Sequence, residues 1–184
     1  MKEARAKWDI RAERPEDAPL VDALNAASFG PGRFARAAFR LREGVAPERA
    51  LSFVAVEQGK LRGSVRFWPV VIGGEPALML GPLAVQSDQR GRGIGIALMV
   101  RGLEEAKALG HRAVILVGDL PYYSRVGFVA VKSGRIRLPG PVDPGRILAI
   151  ALQEGALDAL EGEVRRARVD EPKCADGAPL ASSS

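Results

Sequence analysis

Val85-Gln86-Ser87-Asp88-Gln89-Arg90-Gly91-Arg92-Gly93-Ile94-Gly95-Ile96 joins an apolar extended run, residues 77–85 (ALMLGPLAV), to a segment of helical periodicity. Three glycines at alternate positions let the backbone turn with its N–H groups pointing inward and no Cβ in the way. Those donors stand at the positive end of the following helix, where a diphosphate is well placed. Arg90 and Arg92 add charge that can meet phosphate. A tight turn without a ligand needs one glycine, not three flanked by arginines. Neither familiar nucleotide motif fits. A P-loop needs Gly-Lys followed by Ser or Thr, and this loop has no lysine. A dinucleotide fingerprint needs a third glycine where the chain has Ile96 or Leu98.

Upstream, residues 8–13 (WDIRAE) alternate well enough for a first strand. Asp17 is placed to cap a helix whose apolar positions Leu20, Leu24 and Ala27 fall at helical spacing. Gly30-Pro31-Gly32 ends it, and Phe34, Ala38 and Leu41 mark a second helix. Residues 51–57 read as a strand, Gln58-Gly59-Lys60 as a turn, and residues 61–72 as the antiparallel partner, with Gly73-Gly74 as a hairpin signal. Pro82 has no N–H for a ladder, so a bulge or an unpaired edge is expected in the 77–85 strand.

Downstream, a helix is predicted from about Gly93 to Leu109, with Ile96, Val100 and Leu103 as its stripe and Gly110 ending it. Residues 113–117 (AVILV) form a short continuous apolar run, which suits a strand covered on both faces. Residues 121–126 fit a short helix, 128–131 resume an extended pattern, and 147–152 give one more strand. From Arg165 the pattern fails, and Glu171, Pro172, Lys173 and a Ser-rich end read as a disordered tail. The expectation is one domain over residues 1–164, of α/β class. Its sheet is mixed and carries helices on both faces. It is not a doubly wound nucleotide fold, because the hairpins precede the glycine loop.

The 184 residues suit one domain, able to bury roughly 70% of its unfolded surface without a disulfide or metal staple. Residues 1–7 are charged, so no secretory signal is expected, and no run approaches the roughly 18 apolar residues that span a bilayer. The single cysteine, Cys174, rules out an internal disulfide and makes a cytoplasmic location the expectation. A net charge of +5 suggests an anionic partner or plain solubility. Without a long Lys/Arg run, and with two Trp, two Tyr and six Phe for stacking, nucleic acid is not expected as partner.

Arg90-x-x-Gly93-x-Gly95 following Leu83-Ala84-Val85 resembles the acetyl-CoA signature of the GNAT acetyltransferase superfamily. Tyr123-Ser124-Arg125-Val126-Gly127-Phe128 is similar to that family's tyrosine and Gly-Phe segment after its fifth strand. The similarity covers residues 8–131 in element order and 80–128 in motif detail. It implies a GNAT-like, mostly antiparallel sheet splayed between the fourth and fifth strands, with acetyl-CoA as co-substrate. Pantetheine would pair with the backbone of Leu83, Ala84 and Val85. Backbone N–H groups of Gly91, Gly93, Ile94, Gly95 and Ile96 would hold the pyrophosphate, with Arg90 and Arg92 beside them. The implied activity is acetyl transfer to a primary amine of a small molecule or peptide. A non-catalytic acyl-CoA sensor is the alternative, and a homodimer is left open.

An amine attacking a thioester forms an oxyanion and expels a thiolate. A backbone N–H near Val85 is a candidate oxyanion donor, and Tyr123 matches the family position for the acid that protonates sulfur. A structural role for Tyr123 competes with that one. Tyr122 is expected to pack. The lone histidine, His111, sits at a helix end, and Cys174 lies in the predicted tail. An acyl-enzyme and a metal site are therefore not expected. Strands 77–85 and 113–117 carry no carboxylate, which leaves Asp119 as the nearest candidate base and Glu57 as a distant one. Asp119 could equally cap the helix at Pro121. An α-amine near pKa 8 is about 20% neutral near pH 7.4, a lysine-type amine only about 0.1%. A water-relayed base or an amine of low pKa is thus expected.

Overall fold

The computed structural model describes residues 8–31 and 36–167. Strand β1 (Asp9–Ala12) leads into helix α1 (Ala18–Phe29) and a single helical turn, α2 (Ala37–Arg40). An antiparallel meander follows: β2 (Phe53–Glu57), β3 (Lys60–Ile72) and β4 (Glu75–Val85). Next come α3 (Ile94–Ala108), β5 (Ala113–Val117), the turn α4 (Leu120–Tyr123) and short strands β6 (Val129–Ala130), β7 (Ile136–Arg137), β8 (Ile147–Ala151) and β9 (Gly162–Arg166). The sheet order is β1-β2-β3-β4-β5-β8-β6. All neighbours on that path are antiparallel except β4 and β5, which are parallel. β9 takes over from β2 along the far half of β3 and pairs on its other side with β7.

The hairpin at Gly73-Gly74 forms as its sequence requires, with φ of 57° and 99°. The Ala113–Val117 run is buried on both faces. Val114 and Leu116 pack into a cluster with α3, and Ala113 and Ile115 into a second cluster with Ala37 and Leu41 beside α2. Gly63 lets α3 approach β3 closely, since a Cβ there would stand 3.0 Å from Ile94 Cγ2 and 3.1 Å from Leu98 Cδ1.

Two helix faces differ from the predicted stripes. On α3 the buried side chains are Ile94, Leu98, Met99, Leu103 and Ala106, with Gly95 and Gly102, whereas Val100 is exposed. On α1 the buried pair is Val21 and Asn25, and Leu20 is 58% exposed. Asp17 does not cap α1 with its side chain. It accepts the Arg14 N–H at 2.7 Å and pairs with Arg11 at 2.6 Å, which lowers its pKa. Arg165 and Arg166, assigned to the tail, belong to β9, and Val70↔Arg166 register puts them on the sheet. Residues 168–184 of the predicted tail, Cys174 included, with Gly32 of the predicted break and Phe34 of the second helix, lie outside the described residues. Among the described residues no helix is long and apolar enough to cross a membrane.

Candidate active site

The parallel strands β4 and β5 pair at Leu78↔Val114 and Met79↔Ile115 and then part. Beyond that point β4 is paired with β3 alone, and its course is broken by a bulge. Val65 faces Leu83 while Phe67 faces Leu80, so Gly81 and Pro82 together oppose Arg66. This is the irregularity that Pro82 foretells. The buried Trp68 indole N–H donates to the Gly81 carbonyl at 2.6 Å and pins the bulge.

Past the bulge, the Gln86 N–H donates to the Arg62 carbonyl at 2.9 Å. Antiparallel pairs alternate between bonded and unbonded, and register runs Val85↔Gly63, Ala84↔Ser64, Leu83↔Val65. Ala84 therefore bonds to Ser64, and Leu83 and Val85 turn their N–H and C=O groups away from β3, into the gap. A peptide-like chain entering the gap would find a strand edge there.

The glycine loop lies at the end of that edge. Gly91 and Gly93 have φ of 79° and 83°, and a Cβ on either would meet nothing, so conformation rather than space requires glycine. Gly95 differs. It has ordinary helical φ, and a Cβ there would run into the Tyr122 hydroxyl and stand 3.6 Å from Val85 Cγ2. Two glycines thus make the turn, and the third admits a close neighbour. Gly93 is the N-cap of α3 and no side chain caps the helix. Its carbonyl accepts the Ala97 N–H, the first bond of the helix, so the N–H groups of Gly93, Ile94, Gly95 and Ile96 have no intrahelical partner.

The loop's arginines are not equivalent. Arg92 bonds Glu57 at 2.8 and 3.2 Å and also reaches Gln89, and the Glu57 carboxylate raises its pKa. Arg62 Nε stands 3.3 Å from the same carboxylate, an ion pair without hydrogen-bond geometry, and its Nη1 donates to Gln86 Oε1 at 3.0 Å. Glu57, the distant candidate base, is thereby a clasp between the loop and the β2–β3 hairpin. Arg90 is exposed and has no ion-pair partner among the described residues.

On the other side of the gap is a cavity of about 690 Å³. Its wall includes Leu80 to Leu83 of β4, Val117 of β5, Tyr123 of α4, and residues of α1, of the α2 region and of the 141–146 loop. Tyr123 is fixed by edge contacts to Tyr122 (5.1 Å) and Phe128 (6.0 Å) and by Gly118, where a Cβ would strike its ring. Burial pushes its phenol up to about 12, helped by the neighbouring Tyr122 and Asp119. Asp119 is not part of the cavity wall. It occupies the N-cap position of α4 without capping it, is 77% exposed, and lies 3.3 Å from Arg146. The structure therefore brings Tyr123 to the Leu83 edge, places the α3 N-terminus at the other end of that edge, and leaves Asp119 outside. Among the described residues no group of three or more His, Cys, Asp or Glu could hold a metal ion.

Sequence reasoning left the acceptor side to the first two helices without naming residues. Asn25, Arg42, Arg66 and Trp68 all line the cavity. Asn25 had one available signal, a polar residue one turn after the buried Val21. The others come together only through the fold.

The family description "Acetyltransferase (GNAT) family" matches residues 18–128. The uncharacterized N-acetyltransferase YhbS of Escherichia coli K12 is 35% identical over 158 residues, 84% of this chain and 93% of its own. The crystal structure of E. coli YhbS in complex with CoA superposes with a TM-score of 0.76 at 32% identity, covering 91% of this chain and 93% of that one. A GNAT family acetyltransferase from Brucella melitensis in complex with acetyl-CoA superposes with a TM-score of 0.66 at 31% identity, covering 89% and 97%. With a parallel β4–β5 pair that parts beside an uncapped helix, in an otherwise mostly antiparallel sheet, the chain belongs to the GNAT acetyltransferase family.

Proposed function

We propose that this chain moves the acetyl group of acetyl-CoA directly to a primary amine. The observation that carries this reading is the continuous track from the four N–H groups at α3 that have no partner within the helix, along the edge of Val85 and Leu83 that faces away from β3, to Tyr123. Each part suits one portion of the cofactor. The donors at a helix N-terminus, with Arg90 free beside them, suit a diphosphate. The edge suits the amides of pantetheine by strand addition. The bound thioester supplies an activated acetyl group. A Val85 N–H facing the gap can stabilise oxyanion charge. Tyr123, held neutral by burial, donates a hydrogen bond from its hydroxyl to the departing sulfur.

Every carboxylate in the cavity wall is engaged. Asp22 pairs with Arg66, Glu43 with Arg166, and Asp143 accepts the Gly145 N–H. In this mechanism the amine enters neutral or loses its proton to water, and Asp119 acts at most through solvent. The expected pH profile follows. For a chosen amine, kcat/KM rises tenfold per pH unit and levels at the amine's own pKa. For an amine of pKa below about 9 it shows no falling limb up to about pH 9, because burial keeps the Tyr123 phenol protonated well beyond that range. Asp119→Asn leaves the shape unchanged. A plateau well below the amine's pKa, moved by Asp119→Asn, would assign the base to that residue instead.

Gly93→Ala tests the loop. Forcing an L side chain to φ of 83° is expected to strain the turn by about 1–2 kcal/mol. CoA affinity should fall roughly tenfold while the melting temperature drops by only a few degrees. Equal CoA affinity by calorimetry would show that the loop does not hold the diphosphate. The activity itself is tested by incubating an amine panel with acetyl-CoA and following free thiol. Amine-dependent release is expected. CoA binding with no release from any amine would favour a sensor role.

A further inference from the structure

Among the described residues two guanidiniums in the wall of the acceptor cavity have no carboxylate partner, Arg36 and Arg42. Arg66 is bonded by Glu13 at 2.5 and 2.9 Å and by Asp22 at 3.2 Å, and Arg146 lies 3.3 Å from Asp119. Arg36 spreads over the Phe29 ring at 5.6 Å. Arg42 has no carboxylate partner among the described residues. Its guanidinium lies 5.9 Å from the Trp68 ring centroid and against the bulge, where a Cβ on Gly81 would stand 2.9 Å from Nη2. Its Nε is buried and bonds to no acceptor. A half-buried guanidinium whose buried Nε lacks an acceptor is unfavourable, and its planar fork matches a carboxylate. The side chain pays for this placement in acidity: burial lowers its pKa to about 10. A second orphan shares the cavity. The Asn25 Oδ1 is buried without a donor and can accept an N–H.

We infer that Arg42 receives a carboxylate of the acceptor, and that the acceptor is therefore an amine bearing a nearby carboxylate, an amino acid or a close derivative. The carboxylate and the amine must be close because Arg42 stands against the Gly81 bulge and lines the same cavity as Leu83 and Tyr123. Asn25 is placed to take an N–H of the acceptor. Phe29, Trp68 and Val142 make part of the wall apolar, which suits an apolar side chain. This inference rests on the acetyl-transfer reading above.

The test compares phenylalanine, phenylalaninamide, phenethylamine and the phosphonate analogue of phenylalanine as acceptors. Free thiol is followed, and kcat/KM is corrected to the neutral amine. The wild-type chain should prefer phenylalanine to its amide by roughly 10- to 100-fold. In Arg42→Gln that ratio should fall below about threefold, with Arg42→Lys intermediate. Circular dichroism verifies that the variants are folded. No preference in the wild type, equal losses on acid and amide in Arg42→Gln, or preference for the phosphonate would overturn the carboxylate assignment while leaving acetyl transfer standing. Absence of thiol release from every amine together with absence of CoA binding would remove both.

Discussion

Tyr123→Phe is expected to lower kcat by about 10²- to 10³-fold while CoA affinity changes less than twofold. The substitution keeps the ring that packs on Tyr122 and Phe128 and fits beside Gly118, so only the hydroxyl is lost. That hydroxyl has no hydrogen-bond partner among the described residues and sits in the wall of the cavity that Leu83 also lines. A donor aimed at a departing thiolate acts in the transition state and hardly in the ground state, so kcat and kcat/KM should fall together. Tyr122 provides the control. Its hydroxyl faces Gly95 at the start of α3, away from the acceptor cavity, and Tyr122→Phe should cost less than about fivefold in kcat. A Tyr123→Phe protein with kcat within threefold of wild type would return that residue to a packing role.

Gly102→Ala is expected to destabilise the fold by about 1–3 kcal/mol, although alanine is the better helix former by about 1 kcal/mol. Gly102 lies inside α3 on its buried face, and a Cβ there would strike the Phe67 ring, 2.7 Å from Cζ. Phe67 is fully buried between β3 neighbours and α3 and has nowhere to withdraw. Packing should therefore outweigh propensity. For a domain of this size a loss of 1 kcal/mol lowers the melting temperature by about 2–4 °C. Phe67→Leu in the Gly102→Ala background should recover part of the loss, since the smaller side chain makes room for the methyl group. A single variant that melts higher than wild type would mean that the helix can slide off β3 without penalty.

The parts of the site legible in the sequence are those set by backbone chemistry. Pro82 announces the bulge because it lacks an N–H. Gly91 and Gly93 announce a positive-φ turn, and the Ala113–Val117 run announces a strand covered on both faces. The helix faces were harder to place. The buried stripe of α3 runs through Gly95 and Gly102 and that of α1 through Asn25, so apolar periodicity, while right about Leu103 and the half-buried Ile96, also selected the exposed Val100 and Leu20. β9 escaped notice because GEVRR buries one side chain, Val164, and carries charge on the others. The distribution of charge was equally hidden. Nothing local says that Arg92 is clasped by Glu57, thirty-five positions earlier in the chain, or that Arg42 is left without an anion. Those facts belong to tertiary contact, and the acceptor cavity is made of them.

The most direct measurement is isothermal titration calorimetry of the folded chain with CoA and, separately, with pantetheine, which lacks the diphosphate. One-site saturable heat is expected for CoA, with pantetheine weaker by at least about tenfold, as follows if the donors at Gly93 to Ile96 hold the diphosphate. No heat with CoA in large excess, or equal affinity for pantetheine, would contradict a diphosphate site at the start of α3.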